Sequence, residues 1–308
     1  MVSGCEEPLS PRGPFEKKLV VFSVLATDRA VLFVRVSSNY DVTGFDPYEN
    51  TSEPVVTDAR VSVYSEGTTT MLRDTVLPRP EDSRYQTPIV CYVARPFAVG
   101  RGKTYELHVD SPQLGRANAS VTVPDKPYLN LLGLGYYWLE YPPSFDQSFE
   151  VTGSLSKGAR GYFVRFIIVY DALEESGWTT KEREVPTSYI VVDGASGLAM
   201  TPYPTVKRVD GPNFTSTFRT NAYKWVLSEI SRRYPAEGLV FRQAKFRLVQ
   251  LEEHLFNYYM TVNAFADKYS TRLDQPDYSN ISSGYGVFGA YSVDSLVYEL
   301  RKDFRYSQ

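Results

Sequence analysis

The sequence predicts a mainly β protein: an antiparallel β-sandwich, followed by a second β-rich sandwich domain with one or two helices. Three observations support this. From residue 18 to residue 124, apolar and polar side chains alternate with a period of two, as in strands buried on one face. The chain holds 24 Tyr and 17 Phe but only 3 Trp, and tyrosine suits half-buried strand positions where the ring packs and the hydroxyl stays wet. Its 308 residues are too many for one sandwich of about 100 residues and enough for two domains.

The first unit spans 18–124. Strands are expected at 19–25, at 32–36 (Leu32, Val34 and Val36 inward) and at 59–63 (Ala59, Val61 and Val63 inward). Others follow near 71–76, at 89–93, around Tyr105, Leu107 and Val109, and at 117–123. One-faced burial with turns such as Ser65-Glu66-Gly67 is what an antiparallel sandwich needs. Cys91 falls in phase with Ile89 and Val93 and reads as a small buried hydrophobe. Val123-Pro124-Asp125-Lys126-Pro127 resists any regular element and marks the boundary.

The second unit, 128–308, is less regular. Strands are expected at 131–140, 148–154, 162–170, 188–192 and 239–250. Asn221 is the expected cap of a helix with Ala222, Trp225, Val226 and Ile230 on one face. Leu251, Leu255, Tyr258, Val262 and Phe265 recur at helical spacing through Ala266. Residues 285–291 are expected to close the second sandwich, with glycines where a backbone approaches closely.

Composition excludes several function classes. Lys plus Arg is 33 against Asp plus Glu 36, a net charge of −3, so there is no basic excess to neutralise a phosphate backbone and no nucleic-acid partner is expected. Two cysteines rule out a disulfide scaffold, and two histidines argue against a His-rich metal centre. No stretch approaches the roughly 18–20 apolar residues of a membrane-spanning helix.

The amino terminus points to a different membrane attachment. Val2-Ser3-Gly4-Cys5 has the small-residue-then-cysteine form of a bacterial lipobox, making Cys5 the expected lipid-attachment residue. A charged and then apolar leader precedes such a cysteine, and only Met1 stands before Val2. The competing reading is a stray cysteine. Glu6 to Gly13 and Pro14, rich in proline and without periodicity, read as an extended tether, so that 1–17 form lipobox and tether.

Apparent catalytic motifs fail on context. Gly284-Tyr285-Gly286-Val287-Phe288-Gly289 matches G-x-G-x-x-G, but no βαβ unit surrounds it. Gly102-Lys103-Thr104 resembles the end of a P-loop, yet Phe97 occupies the first glycine's position. His254 on its helix lacks a second histidine one turn on, where Tyr258 sits, and reads as a solvated face. His108 points outward from its strand. Glu174-Glu175 could serve glycoside hydrolysis only beside a partner carboxylate that the sequence does not locate. No catalytic residue, metal or cofactor is therefore assigned.

The order of motifs resembles a known family. The lipobox and tether, Leu19-Val20-Val21, Asp58-Ala59-Arg60-Val61-Ser62-Val63, Gly102-Lys103-Thr104-Tyr105-Glu106-Leu107, Val121-Thr122-Val123-Pro124 and the closing Asn280-Ile281-Ser282-Ser283-Gly284-Tyr285-Gly286-Val287-Phe288-Gly289-Ala290-Tyr291 are similar to the domain-of-unknown-function 4249 lipoproteins of Bacteroidota. That resemblance implies an outer-membrane lipoprotein facing the cell exterior, with an immunoglobulin-like or carboxypeptidase-regulatory-like first domain. It also implies a TonB-dependent receptor as a partner. The expected function is non-catalytic binding of a polypeptide, a glycan or that receptor. Tyr136, Tyr137, Trp138 and Trp178 are the candidate contacts, with core packing as their competing role and the favoured one for the first three. The alternative is an extracellular hydrolase with dispersed carboxylates.

Overall fold

The computed structural model describes residues 15–41, 51–79, 85–187, 190–192, 195–197, 205–263 and 278–306. It is mainly β, with multiple sheets. The first unit contributes β1 (Leu19–Ala26), β2 (Leu32–Ser38), β3 (Arg60–Ser65), β4 (Thr68–Met71), β5 (Arg73–Leu77), β6 (Ile89–Ala94), β7 (Thr104–Ser111) and β8 (Gly115–Thr122). β1, β2, β6 and β5 lie side by side in one sheet, while β4, β3, β7 and β8 form another. Their inward residues meet in one buried cluster: Leu19, Val21, Leu32 and Val34 from the first, Val61, Val63, Leu107, Val109 and Val121 from the second. The period-two alternation is this inward face. The single strand expected at 71–76 is two strands in different sheets. Leu72 is the corner, its side chain buried and its N–H donating to the Val61 carbonyl at 2.9 Å.

The second unit runs β9 (Tyr128–Leu131), α1 (Gly135–Glu140), β10 (Ser148–Ser154), β11 (Gly161–Glu174) and β12 (Gly177–Val185). After the short pieces β13 (Ile190–Val192), β14 (Ala195–Gly197) and β15 (Lys207–Arg208) come β16 (Asn213–Arg219), α2 (Thr220–Arg233), β17 (Leu239–Leu251), α3 (Glu253–Asn263) and β18 (Gly284–Glu299). β16, β10 and β9 form a three-stranded sheet. Its core centres on Phe166, which stacks on Phe246 at 4.4 Å and meets Phe218 at 5.5 Å and Tyr223 at 5.4 Å. Four sequence expectations change. The strand at 131–140 ends at Leu131 and becomes α1, because Gly133 takes a left-handed φ of +57° that breaks extended backbone. The helix expected from Leu251 starts at Glu253, and Leu251 completes β17; residues 264–266 lie outside the described residues, as do 188–189.

The third change concerns β18, which does not close the second sandwich alone. It pairs in parallel with β1, from Leu19 opposite Gly284 to Ala26 opposite Tyr291, and antiparallel with β17, from Leu251 opposite Tyr291 to Gln243 opposite Glu299. The result is one continuous sheet in the order β12-β11-β17-β18-β1-β2-β6-β5, holding strands from before and after residue 124. Phe288 and Ala290 fill the first core, while Leu296 and Tyr298 pack against the second. The glycines make the close approach possible. A Cβ on Gly286, at φ +110°, would lie 2.0 Å from the Val21 carbonyl oxygen, and one on Gly284 would lie 2.7 Å from that of Leu19.

α2 is capped by a residue distant in sequence and α3 by the residue just before it. Asn221 is not the cap of α2 but lies inside it. Asp146 takes that role: it accepts from the Asn221 N–H at 3.1 Å and pairs with the Arg219 guanidinium, satisfying donors the helix leaves open. Burial alone would raise the Asp146 carboxyl. The bonds from Arg219, Asn221 and Thr220 outweigh it and hold the group below its ordinary value. At α3, buried Glu252 accepts from the N–H groups of His254 and Leu255, both at 2.7 Å, and from Ala290 of β18 at 3.2 Å. There burial dominates, and the Glu252 carboxyl lies above its ordinary value.

Two outcomes follow. Gly286→Ala is expected to cost about 3 kcal/mol or more, since backbone must shift to admit the methyl. Gly211→Ala, with nothing within 4 Å, is expected to be neutral within about 0.5 kcal/mol; urea denaturation of both variants checks the contrast. Asp146→Asn is expected to cost about 1 kcal/mol at neutral pH. Because the folded carboxyl titrates below the unfolded one, this stability is present above the unfolded value and lost as pH falls through the folded one. The gap between the variant and the parent should therefore close in acid, read by denaturation at stepped pH.

Candidate binding surface

Residues 127–145 contain one charged side chain, Glu140. Packing turns it inward: Glu140 is buried, pairs with Arg301, and accepts from the Arg301 N–H at 3.0 Å and the Tyr298 hydroxyl at 3.3 Å. The backbone is fastened from beneath as well. Tyr223 donates its hydroxyl to the Leu139 carbonyl at 2.7 Å, and Lys224 Nζ donates to the carbonyls of Pro143 and Ser144 at 2.8 and 3.0 Å. Burial, then the nearby Glu140 carboxylate, pushes the Tyr223 hydroxyl far above its ordinary value, so it stays a donor.

With Glu140 facing the core, large apolar and aromatic side chains face out. Tyr128, Leu132, Leu134, Tyr137, Tyr141 and Phe145 are exposed, Leu134 by 61% and Phe145 by 65%. Tyr137 and Tyr141, one helical turn apart, stack at 4.8 Å, and the Arg301 guanidinium lies 5.0 Å over the Tyr141 ring. The usual order of burial is inverted over one rigidly held segment, and such patches mark contact sites.

The sequence candidates separate. Of the aromatic triplet, Tyr137 is in this surface, while Tyr136 and Trp138 are half-buried and pack against the second core. Trp178 is exposed opposite Leu173 on the edge strand β12. α1 contacts the end of β18, and β17 and β11 lie between β18 and β12 in the sheet, so Trp178 belongs to another face. Cys5 lies outside the described residues. Leu132, Leu134, Tyr141 and Phe145 escaped the sequence reading, which took 131–140 as a strand; the run of 19 residues with a single charge was the signal available.

The motifs considered for catalysis have structural roles or remain apart. The glycines of 284–289 admit β1 and α3 to β18: a Cβ on Gly289 would lie 2.8 Å from Leu255 Cβ. His254 is half-buried and hydrogen-bonds the Tyr278 hydroxyl through Nδ1, not a solvated face. Half-buried His108 bonds Asn118 at 2.8 Å. Glu174 pairs with Lys181, whose hydrogen bond holds the carboxyl below its ordinary value, the wrong direction for a general acid. Among the described residues, no three His, Cys, Asp or Glu side chains converge as metal ligands.

What the fold defines is a mainly β protein whose two cores share one sheet. The chain belongs to the family described as "Domain of unknown function (DUF4249)", whose model matches residues 6–296. A search of curated proteins finds no match. Among solved structures, the crystal structure of the C-terminal globular domain of an oligosaccharyltransferase from Pyrococcus abyssi is 10% identical. It aligns over 75% of this chain with a TM-score of 0.25, and the chain spans 43% of that protein's length. A likeness at that score carries no argument.

If the surface residues serve contact and not folding, polar substitution should be tolerated. Leu134→Ser and Phe145→Ser are expected to change stability by less than about 0.5 kcal/mol each. Leu139→Ser, on the buried face of the same helix, should cost about 3 kcal/mol or more. Thermal and urea unfolding of the three variants distinguish the cases.

Proposed function

We propose that the protein is a non-catalytic binding protein, lipid-anchored at the outer membrane through Cys5 and facing the cell exterior, that docks a polypeptide partner on the surface around α1. The observation that carries this is the exposed set Leu132, Leu134, Tyr137, Tyr141 and Phe145 on a segment whose one charged side chain, Glu140, is buried against Arg301. Aromatic and aliphatic side chains held rigid lose little entropy on association, which favours contact with another protein. A glycan needs convergent donors and acceptors, and this surface offers chiefly tyrosine hydroxyls, so the polypeptide is favoured. The family resemblance supports a TonB-dependent receptor as that polypeptide, and the lipobox supports the anchor. Three acyl chains would hold it firmly, since each buried methylene contributes about 0.8 kcal/mol.

The test places a photo-crosslinking residue at position 137 or 178 in the chain, expressed behind a lipoprotein leader, with products read by mass spectrometry from solubilised outer membrane. A defined outer-membrane protein should crosslink from position 137, not from 178, and the product should vanish in the Leu134→Ser/Phe145→Ser variant. Persistence of that product in the variant would reject the surface. Cys5→Ala should move the protein to the soluble fraction; sedimentation with membranes at high salt would reject the anchor.

A further inference from the structure

Beyond the docking surface, along the next two turns of α2, a cavity of about 410 Å³ opens at the end of the second core. That size lies within the roughly 300–1,000 Å³ of small-molecule sites. Its floor is apolar: Leu239 and Phe241 of β17, both buried in the core, with Phe304 edge-on behind Phe241 at 5.5 Å. Ala236, in the turn that follows α2, forms a wall. The rim carries the Ser231 hydroxyl and two guanidinium groups, Arg232 on α2 and Arg305 on the carboxyl-terminal segment.

Charge decides what such a cavity accepts. Among the described residues no carboxylate lines it. Arg232 shares its charge with Glu229 at 2.9 Å, and Arg232 and Arg233 in the last turn of α2 offset the negative end of the helix. Arg305 is different. Its Nη1 donates to the carbonyls of Phe304 at 2.9 Å and Lys302 at 3.3 Å, which fixes its direction, and among the described residues no carboxylate pairs with it. An exposed cation beside an apolar floor, with no carboxylate partner among the described residues, matches a ligand with one anionic head and a compact apolar body.

We infer that this cavity binds a small amphipathic carboxylate, its body against Leu239 and Phe241 and its head at Arg305. A guanidinium receives a carboxylate through two parallel N–H bonds, which favours an acid over an alcohol of the same length. The site is separate from the docking surface and does not depend on it.

Calorimetric titration of the full 308-residue chain with sodium octanoate tests the assignment, with 1-octanol as the neutral arm. Octanoate should bind at one site with Kd below about 1 mM. Affinity should fall about tenfold or more in Arg305→Gln and disappear in Ala236→Trp, which fills the space, while both variants keep the parent's melting temperature. Leu134→Ser/Phe145→Ser should bind octanoate as the parent does. The inference is overturned if octanoate shows no saturable binding, if 1-octanol binds equally well, if both cavity variants bind at parental affinity, or if the surface variant alone loses binding. Should Ala236→Trp unfold, Arg305→Gln and the octanol arm still decide the matter.

Discussion

The parallel pairing of β18 with β1 is the contact on which the rest of the protein depends. It brings the end of the chain beside its first strand, across more than 260 positions of sequence from Leu19 to Gly284. Closing so long a loop costs entropy that grows only slowly with its length, and the burial of Phe288 and Ala290 in the first core offsets that cost. The same strand then runs on beside β17 into the second core. Tyr291 sits at the crossing, in register with both Ala26 and Leu251. Around it Arg101 donates to the Val293 carbonyl at 2.6 Å, Thr27 accepts from the Val293 N–H at 3.0 Å, and Arg247 pairs with Asp28. The segment at 123–127 is stitched to the same place, since Gln250 and Ser292 both donate to the Asp125 carbonyl. Two cores thus share one hydrogen-bonded sheet.

α2 links that scaffold to both proposed contact sites. Its buried face, Ala222, Val226, Leu227 and Ile230, locks it against the second core. From the same helix Tyr223 and Lys224 hold α1 and the loop after it, while Ser231 and Arg232 border the cavity. Polar side chains here act as fasteners, freeing apolar ones to face outward. Beneath the inverted surface the carbonyls of Leu139, Pro143 and Ser144 are satisfied by Tyr223 and Lys224, so these groups lose no water-facing bond when a partner covers the top.

The two capping carboxylates show how depth sets charge. Asp146 and Glu252 each accept from N–H groups at the start of a helix. Asp146 is partly open to solvent and faces Arg219, and its charged form is favoured. Glu252 is enclosed between α3 and β18, and there burial outweighs the bonds from His254, Leu255 and Ala290. The same chemistry therefore responds to pH in opposite directions.

The sequence by itself determined the β class, most strands of the first sandwich and the position of α2, because burial on one face imprints a period of two on strands and 3.6 on helices. It also marked 284–289 as a place where backbones approach, since glycines within a strand have few other uses. Tertiary structure alone decided which backbone comes close: β1, far away in sequence, and not a nucleotide. The corner at Leu72 and the capping of α2 by Asp146 were likewise hidden, because each depends on a partner distant along the chain. So was the exposure of Leu134 and Phe145. An apolar residue looks the same in sequence whether it faces in or out, and only the bonds made by Tyr223, Lys224 and Arg301 on the opposite side decide which way the segment turns.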